Sequence, residues 1–394
     1  MPVAETWAFT TEQQLLNDAW RVVNQAYVDG SFNHQNWWKL REKVLKQPLP
    51  DRTATYESIR QMLASLEDPF TRLLLPAQYR SLQTSTAGEL TGVGLQISVS
   101  TDTGHLEVIA PIEGSPAAIA GLQPGDQILA IDDISTASLT LDEAAEHMRG
   151  PRGSTVLLQV QPQDRPDQVK TVSLKRDRIE INPVRGEIRK TENGKPFGYI
   201  RLSQFNANAT KQMKEAIQKL EAQHVEGYVL DLRNNPGGLL QAGIEVADFW
   251  LDAGPIVYTV DRHGVLGSFE ASGPALTHAP LVVLVNRGTA SASEILAGAL
   301  QDTGRAKLIG ERTFGKGAIQ SLFDLSDGSG LAVTVATYET PNHRNINKVG
   351  IQPDLAVAAE NLDLNTFATL QDRQYLAAIT SLTETQVATG ASSS

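Results

Sequence analysis

Apolar residues recur at helical spacing near the start of the chain. In TEQQLLNDAWRVVNQAYV, the positions Leu15, Ala19, Val22, Val23 and Tyr27 fall on one helical face. YESIRQMLASL reads as a second helix, and residues 10–80 as a helical region. Phe32, Trp37 and Trp38 read most simply as its aromatic core. LEDPFTRLLLPAQYRSL then brings two prolines and breaks the period.

From about Thr86 the pattern turns to alternation. TGVGLQISV, HLEVIAPI, STVLLQVQ and VKTVSLKR read as strands, and LTLDEAAEHMRG as a helix ended by Gly150. SPAAIAGLQPGDQILAIDD reads as a short helix, a Pro-Gly-Asp turn and a strand. These segments form a module inserted in a larger chain. From Phe197 strands and helices alternate: FGYIRLSQF, ATKQMKEAIQKLEAQ, GYVLDLRNNPGG, LLQAGIEVADFWL, PIVYTVD, PLVVLVN and SASEILAGALQ. Such alternation predicts a partly parallel sheet flanked by helices. SLFDLSDGSGLAVTVATYE predicts a hairpin turning at Asp-Gly, and the final ATGASSS an unstructured tail.

Composition narrows the functions. The 394 residues are 41% hydrophobic and 20% charged, as expected of a globular chain of two or three domains. A net charge of -11 without a basic cluster argues against nucleic acid as a partner. No apolar stretch is long enough to span a membrane. Without cysteine there is neither a disulfide nor a thiol nucleophile. The seven histidines are scattered, so neither a metal site nor a cofactor is expected. The opening MPVAETWAFTTEQQ lacks the basic-then-apolar pattern of an export signal; an exported form would have lost its signal.

Three short stretches carry candidate chemistry. GERTFGKGAIQ contains G-x-x-x-x-G-K, but a phosphate loop needs Ser or Thr after the lysine and a helix beyond it. Gly317 stands there instead, followed by the strand-like AIQSLFDL. VLVNRGTASASEILAGAL runs from a strand into a helix. Ser291 with Glu294 three residues on fits a capping box, which is the plainer reading. The same place suits a nucleophile facing a helix N-terminus. Its base could be Lys316, whose flanking glycines allow close packing around an amine that burial would neutralise. Gln320 could orient that amine without adding charge. DLRNNPGG offers turn amides at Gly237 and Gly238, and Ala292 a further one, to hold an oxyanion; a plain loop is the alternative.

Taken together, GTASASEIL, GERTFGKGAIQ and LDLRNNPGGLL, with the flanking LEDPFTRLLLPAQY and VGIQPD, resemble the carboxyl-terminal processing, or tail-specific, serine proteases. The resemblance implies that Ser291 is the nucleophile, Lys316 the general base and Gln320 its positioning residue. Gly237 and Ala292 would form the oxyanion hole, with Gly238 as substitute for the first. Glu294 and Asp302 match acidic positions near the site in some members and are taken as structural. AWRVVNQAYVDGSFNHQNWW looks most like the cyanobacterial and chloroplast branch, which trims the C-terminal extension of a photosystem II reaction-centre precursor. That implies a membrane-embedded substrate with a free tail, met in the thylakoid lumen or periplasm. Where the family often has T-P-x-G, this chain has TPNHRNINKVGI.

The inserted module resembles a PDZ domain, circularly permuted. Gly92, Val93, Gly94 and Leu95 of LTGVGLQI would cradle a terminal carboxylate while the peptide adds as a strand beside GLQISV, with LDEAAEHM as the other wall. Arg149 would couple that event to Gln320. The implied fold is mixed α/β (α+β): a crotonase-like (ClpP-like) protease core, an inserted PDZ-like β-barrel module and a helical N-terminal region. The expected boundaries are 1–85, 86–177 and 178–394. Two other readings stay open at this point, a non-catalytic peptide adaptor and an acyl-CoA enzyme of the crotonase type.

Overall fold

The computed structural model describes residues 9–100, 104–112, 114–191, 193–358 and 367–391. Its compact units are two: Met1–Leu82 with Asn182–Ser394, and Gln83–Ile181. The helical N-terminal region thus shares a unit with the second half of the chain.

The first unit begins with α1 (Thr11–Ala26), α2 (Trp37–Leu45), α3 (Arg52–Ala64) and β1 (Arg72–Leu74). Polar caps start the helices: Thr10 with Gln13 on α1, Asn36 on α2 and Asp51 on α3. Leu15, Leu16, Ala19, Trp20 and Val23 form the buried stripe of α1 and pack with Ile59 and Met62 of α3. One expectation fails here. Trp37 is buried but Trp38 is 61% exposed, because successive helical residues point about 100° apart. The helix α4 (Pro76–Ala87) leads into the inserted unit.

That unit holds β2 (Glu89–Gly92), β3 (Leu95–Val99), β4 (Leu106–Pro111), α5 (Pro116–Ile119), β5 (Gln127–Ile131), β6 (Ile134–Ser135), α6 (Leu141–Met148), β7 (Thr155–Gln161), β8 (Lys170–Lys175) and β9 (Asp177–Glu180). Its sheet runs β3-β4-β5-β7-β8 with β6 beside β5, and β2 pairs separately with β9. Val156, Leu158 and Val160 alternate into its core. The single strand expected over TGVGLQISV is two, broken at Val93 and Gly94; Gly94 takes φ +77, which a strand cannot hold. The helix α6 ends at Met148, with Arg149 at its cap and Gly150 directly after it.

The chain then returns to the first unit through β10 (Val184–Lys190), β11 (Pro196–Leu202), α7 (Ala209–Glu221), β12 (Tyr228–Asp231), α8 (Leu240–Asp248), β13 (Pro255–Asp261), β14 (Gly264–Glu270), β15 (Leu281–Val285), α9 (Ala292–Asp302), β16 (Lys307–Gly310), β17 (Ala318–Asp324), β18 (Gly330–Glu339), β19 (Leu355–Ala356) and α10 (Arg373–Ala391). The main sheet runs β10-β11-β12-β15-β16-β19. Its strands are parallel except β10. All five residues of β15 are buried, as a strand covered on both faces requires. Val283 and Val285 face the cluster containing α7, α8 and α9, while Val282 and Leu284 face α10. A second sheet, β1-β18-β13-β14 with β17 on β18, packs Leu331 and Val333 against the N-terminal helices. The helix α10 continues into the expected tail as far as Ala391, and residues 392–394 lie outside the described residues.

Candidate active site

The loops that follow β12, β15 and β16 leave the carboxyl ends of parallel strands, the usual edge for a site in such sheets. Asn234 to Gly238 follow β12, Asn286 to Ser291 follow β15, and Glu311 to Gly317 follow β16. The first two are stitched together. Asn286 Nδ2 donates to Asn234 Oδ1 at 2.8 Å, and Asn286 Oδ1 accepts the Asn234 N–H at 2.9 Å. Thr289 Oγ1 donates to the Leu232 carbonyl at 2.9 Å, and the Asn235 carbonyl accepts both the Ala290 N–H and Ser293 Oγ at 3.0 Å.

Ser291 sits at the start of α9 with φ +57 and ψ -120. A non-glycine residue at positive φ is strained by roughly 1–3 kcal/mol and persists only where its surroundings fix it. Those surroundings are named here: Tyr338 Oη donates to the Ser291 carbonyl at 3.1 Å, and the Ser291 N–H donates to Glu294 at 2.9 Å.

Glu294 does more than cap. Its side chain is fully buried. Oε2 accepts the N–H groups of both Ser291 and Lys316, each at 2.9 Å. Oε1 accepts the Gly315 N–H at 2.8 Å and the Thr313 hydroxyl. One carboxylate oxygen therefore holds the backbones of the candidate nucleophile and the candidate base side by side. Burial raises the Glu294 pKa, against the pull of these donors.

Lys316 Nζ donates to Gln320 Oε1 at 2.8 Å. The pairing does not come from a regular strand, since Lys316 precedes β17 and a bulge separates Ile319 from Gln320. Among the described residues no hydrogen bond joins Lys316 Nζ to the Ser291 hydroxyl. Burial, then the nearby Arg72, lowers the Lys316 pKa; Asp68 and Glu294 oppose them. Sequence reasoning missed Phe70. Its ring centroid lies 5.1 Å from Lys316 Nζ, and its carbonyl accepts from Gln320 Nε2. The readable signal was the Asp68-Pro69-Phe70-Thr71 turn, in which Asp68 accepts the Phe70 N–H at 3.0 Å.

Gly237 lies against the nucleophile. A Cβ there would stand 2.8 Å from Ser291 Cβ and 2.9 Å from the Ala292 nitrogen, and the backbone has φ +92. Ala292 opens α9, where a first-turn N–H lacks an intrahelical acceptor. The Gly237 N–H donates to Asn235 Oδ1 at 2.9 Å, whereas the Gly238 N–H has no acceptor among the described residues. Asp302 is remote in role: it pairs with Arg344 and accepts the Asn342 N–H at 2.9 Å, tying the end of α9 to the TPNHRN turn.

In the inserted unit, the Val93 carbonyl accepts the Ala117 N–H at 2.9 Å and the Gly94 carbonyl accepts Ser115 Oγ at 3.1 Å. A Cβ on Gly94 would lie 2.3 Å from Ser115 Cβ, and one on Gly92 3.3 Å from the Met148 carbonyl. Leu95 opens β3, an edge strand whose one neighbour among the described strands is β4. Arg149 pairs with Glu146 at 2.8 Å. Among the described residues, no group of three or more His, Cys, Asp or Glu could hold a metal ion.

Comparison with known proteins gives the family of the chain. Residues 196–357 match peptidase family S41, and residues 107–162 match a PDZ domain. The chain is 57% identical over 385 residues to a carboxyl-terminal-processing protease of Picosynechococcus, covering 98% of this chain and 92% of that protein. It is 47% identical over 360 residues to carboxyl-terminal-processing peptidase 2, chloroplastic, of Arabidopsis thaliana, covering 89% and 69%. Among solved structures, a photosystem II D1 C-terminal processing protease matches at 44% identity with a TM-score of 0.60, over 89% of this chain and 94% of that one.

Proposed function

This chain belongs to peptidase family S41, the carboxyl-terminal-processing proteases, and we propose that it cuts with a Ser/Lys dyad of Ser291 and Lys316. The observation that supports this most is the shared anchor: Glu294 Oε2 accepts the N–H of both residues. Membership in a peptidase family removes the adaptor and acyl-CoA readings.

Neutral Lys316 takes the proton from Ser291 Oγ as that oxygen attacks the scissile carbonyl. The oxyanion is received by the N–H groups of Ala292 and Gly237, each worth roughly 3 kcal/mol by analogy with deleted oxyanion donors. To serve, the Gly237 N–H must be shared with or released from Asn235 Oδ1; the unpartnered Gly238 N–H is the substitute donor. The C–N bond breaks as Lys316 returns the proton to the leaving amine. Water, deprotonated by Lys316, then attacks the acyl-enzyme, and its proton passes back to Ser291 Oγ. Gln320 keeps the amine aimed throughout.

The PDZ unit captures the free carboxylate at Gly92–Leu95 and aligns the tail along β3. The substrate is a protein with an exposed C-terminal extension, by analogy with the solved relative the precursor of the photosystem II protein D1, met in the thylakoid lumen or periplasm. Cleavage of a tail peptide, followed by mass spectrometry, tests this with wild type, Ser291→Ala, Lys316→Ala and a C-terminally amidated copy. Both variants should be inactive and the amidated copy should be cut poorly. Retained activity in Lys316→Ala would remove lysine as the base.

A further inference from the structure

The segment joining α3 to β1 reaches the amine that the mechanism depends on. Asp68 accepts the Phe70 N–H at 3.0 Å and the Thr71 hydroxyl at 2.7 Å, which folds Asp68–Arg72 into a tight strap. Thr71 Oγ1 in turn accepts the Thr334 N–H at 3.0 Å, pinning the strap to β18. From there Phe70 does two things. Its carbonyl accepts from Gln320 Nε2, and its ring lies 5.1 Å from Lys316 Nζ. The relay is continuous: Lys316 Nζ–H to Gln320 Oε1, then Gln320 Nε2–H to the Phe70 carbonyl. An amide has two ends; fixing its NH₂ group at Phe70 leaves its oxygen facing the lysine.

We propose that Phe70 is a positioning residue of the proteolytic site, so that the N-terminal helical region completes the general base. This rests on Lys316 acting as that base. The ring acts on the amine in two opposed ways. A π face favours the charged amine, while the loss of water around it favours the neutral one. Burial is the largest cause of the lowered Lys316 pKa, and the Phe70 ring is part of the apolar cover beside the amine. The charged groups facing the amine are Arg72 on β1, Asp68 on the strap and Glu294 on α9.

Activity needs the neutral amine, so the acid limb of the pH profile follows the Lys316 pKa. Removing the ring readmits water, returns that pKa toward the ordinary lysine value and moves the limb to higher pH. The test compares Phe70→Ala, Phe70→Leu and Phe70→Tyr in the full chain, using a tail peptide, with thermal melts alongside. For Phe70→Ala we expect kcat to fall about tenfold or more with KM within about twofold, and the limb to move up. Phe70→Tyr should restore both. Phe70→Leu keeps apolar cover and should hold the limb while losing part of kcat. Combined with Gln320→Ala, its loss should be smaller than the product of the single losses, because both act on one amine. A folded Phe70→Ala with wild-type kcat and limb overturns the inference. So does a change in KM alone. If Phe70→Ala fails to fold, wild-type kcat in Phe70→Leu, or losses that multiply with Gln320→Ala, overturns it. Lys316→Ala separates the two proposals: activity there removes the dyad first, whereas an inactive Lys316→Ala beside a normal Phe70→Ala removes only the strap.

Discussion

Glu294 receives four hydrogen bonds in a site that excludes water: from Ser291, Thr313, Gly315 and Lys316. A carboxylate suits this because all its lone pairs accept. Glu294→Gln keeps the shape but turns an NH₂ group toward two of the donors. Each buried N–H left unmet costs about 1–3 kcal/mol. We expect a lower melting temperature and a kcat reduced at least tenfold, since either the Ser291–Lys316 pair or the Thr313–Gly315 pair of the lysine loop loses its common acceptor. A calorimetric melt and a peptide assay check this. Wild-type values in both would mean that the shared oxygen is dispensable.

The elements around the site differ in how far sequence exposes them. Helices such as α1 and α7 are amphipathic, so their period declares them. Ser291, Lys316 and Gln320 lie within short motifs, and Gln320 meets Lys316 four residues away. The Phe70 contact to Gln320 spans 250 residues, and the buried Arg233–Asp372 pair, which fixes α10 beside the Asn234–Gly238 loop, spans 139. No local period encodes such contacts. The turn that departs from the family's T-P-x-G is likewise a buttress. Ile351 N–H donates to Thr313 Oγ1 at 2.7 Å, and Lys348 N–H donates to the Gly315 carbonyl at 2.8 Å. Helix α9 presses on this buttress through Gly298, where a Cβ would lie 2.9 Å from Thr340 Cγ2 and 3.3 Å from Ile351 Cδ1. Gly298→Val should therefore destabilise by about 1–3 kcal/mol through overpacking. It should also lower kcat, because the displaced segment supports the lysine loop. An unchanged denaturation midpoint would show that the segment moves aside freely.

At the scale of the whole molecule, the proposed dyad and the proposed carboxylate loop belong to separate compact units. No helix among the described residues is long and apolar enough to cross a membrane. Under that division of labour the PDZ unit contributes binding that is equal in ground and transition states. Such binding sets KM and leaves kcat alone. Gly94 isolates this contribution. Its φ of +77 and the 2.3 Å separation that a Cβ would have from Ser115 Cβ leave no room for a side chain. Gly94→Ala should distort the Gly92–Leu95 loop, and its backbone N–H groups would no longer converge on a carboxylate. For a peptide with a free C-terminus we expect KM to rise about tenfold with kcat within about twofold, roughly 1.4 kcal/mol of lost capture. For the amidated copy, which the loop does not hold, Gly94→Ala should change neither constant. Steady-state kinetics on the two peptides with both enzymes reads the difference. If Gly94→Ala still separates free from amidated tails as wild type does, the carboxylate is recognised elsewhere than at this loop.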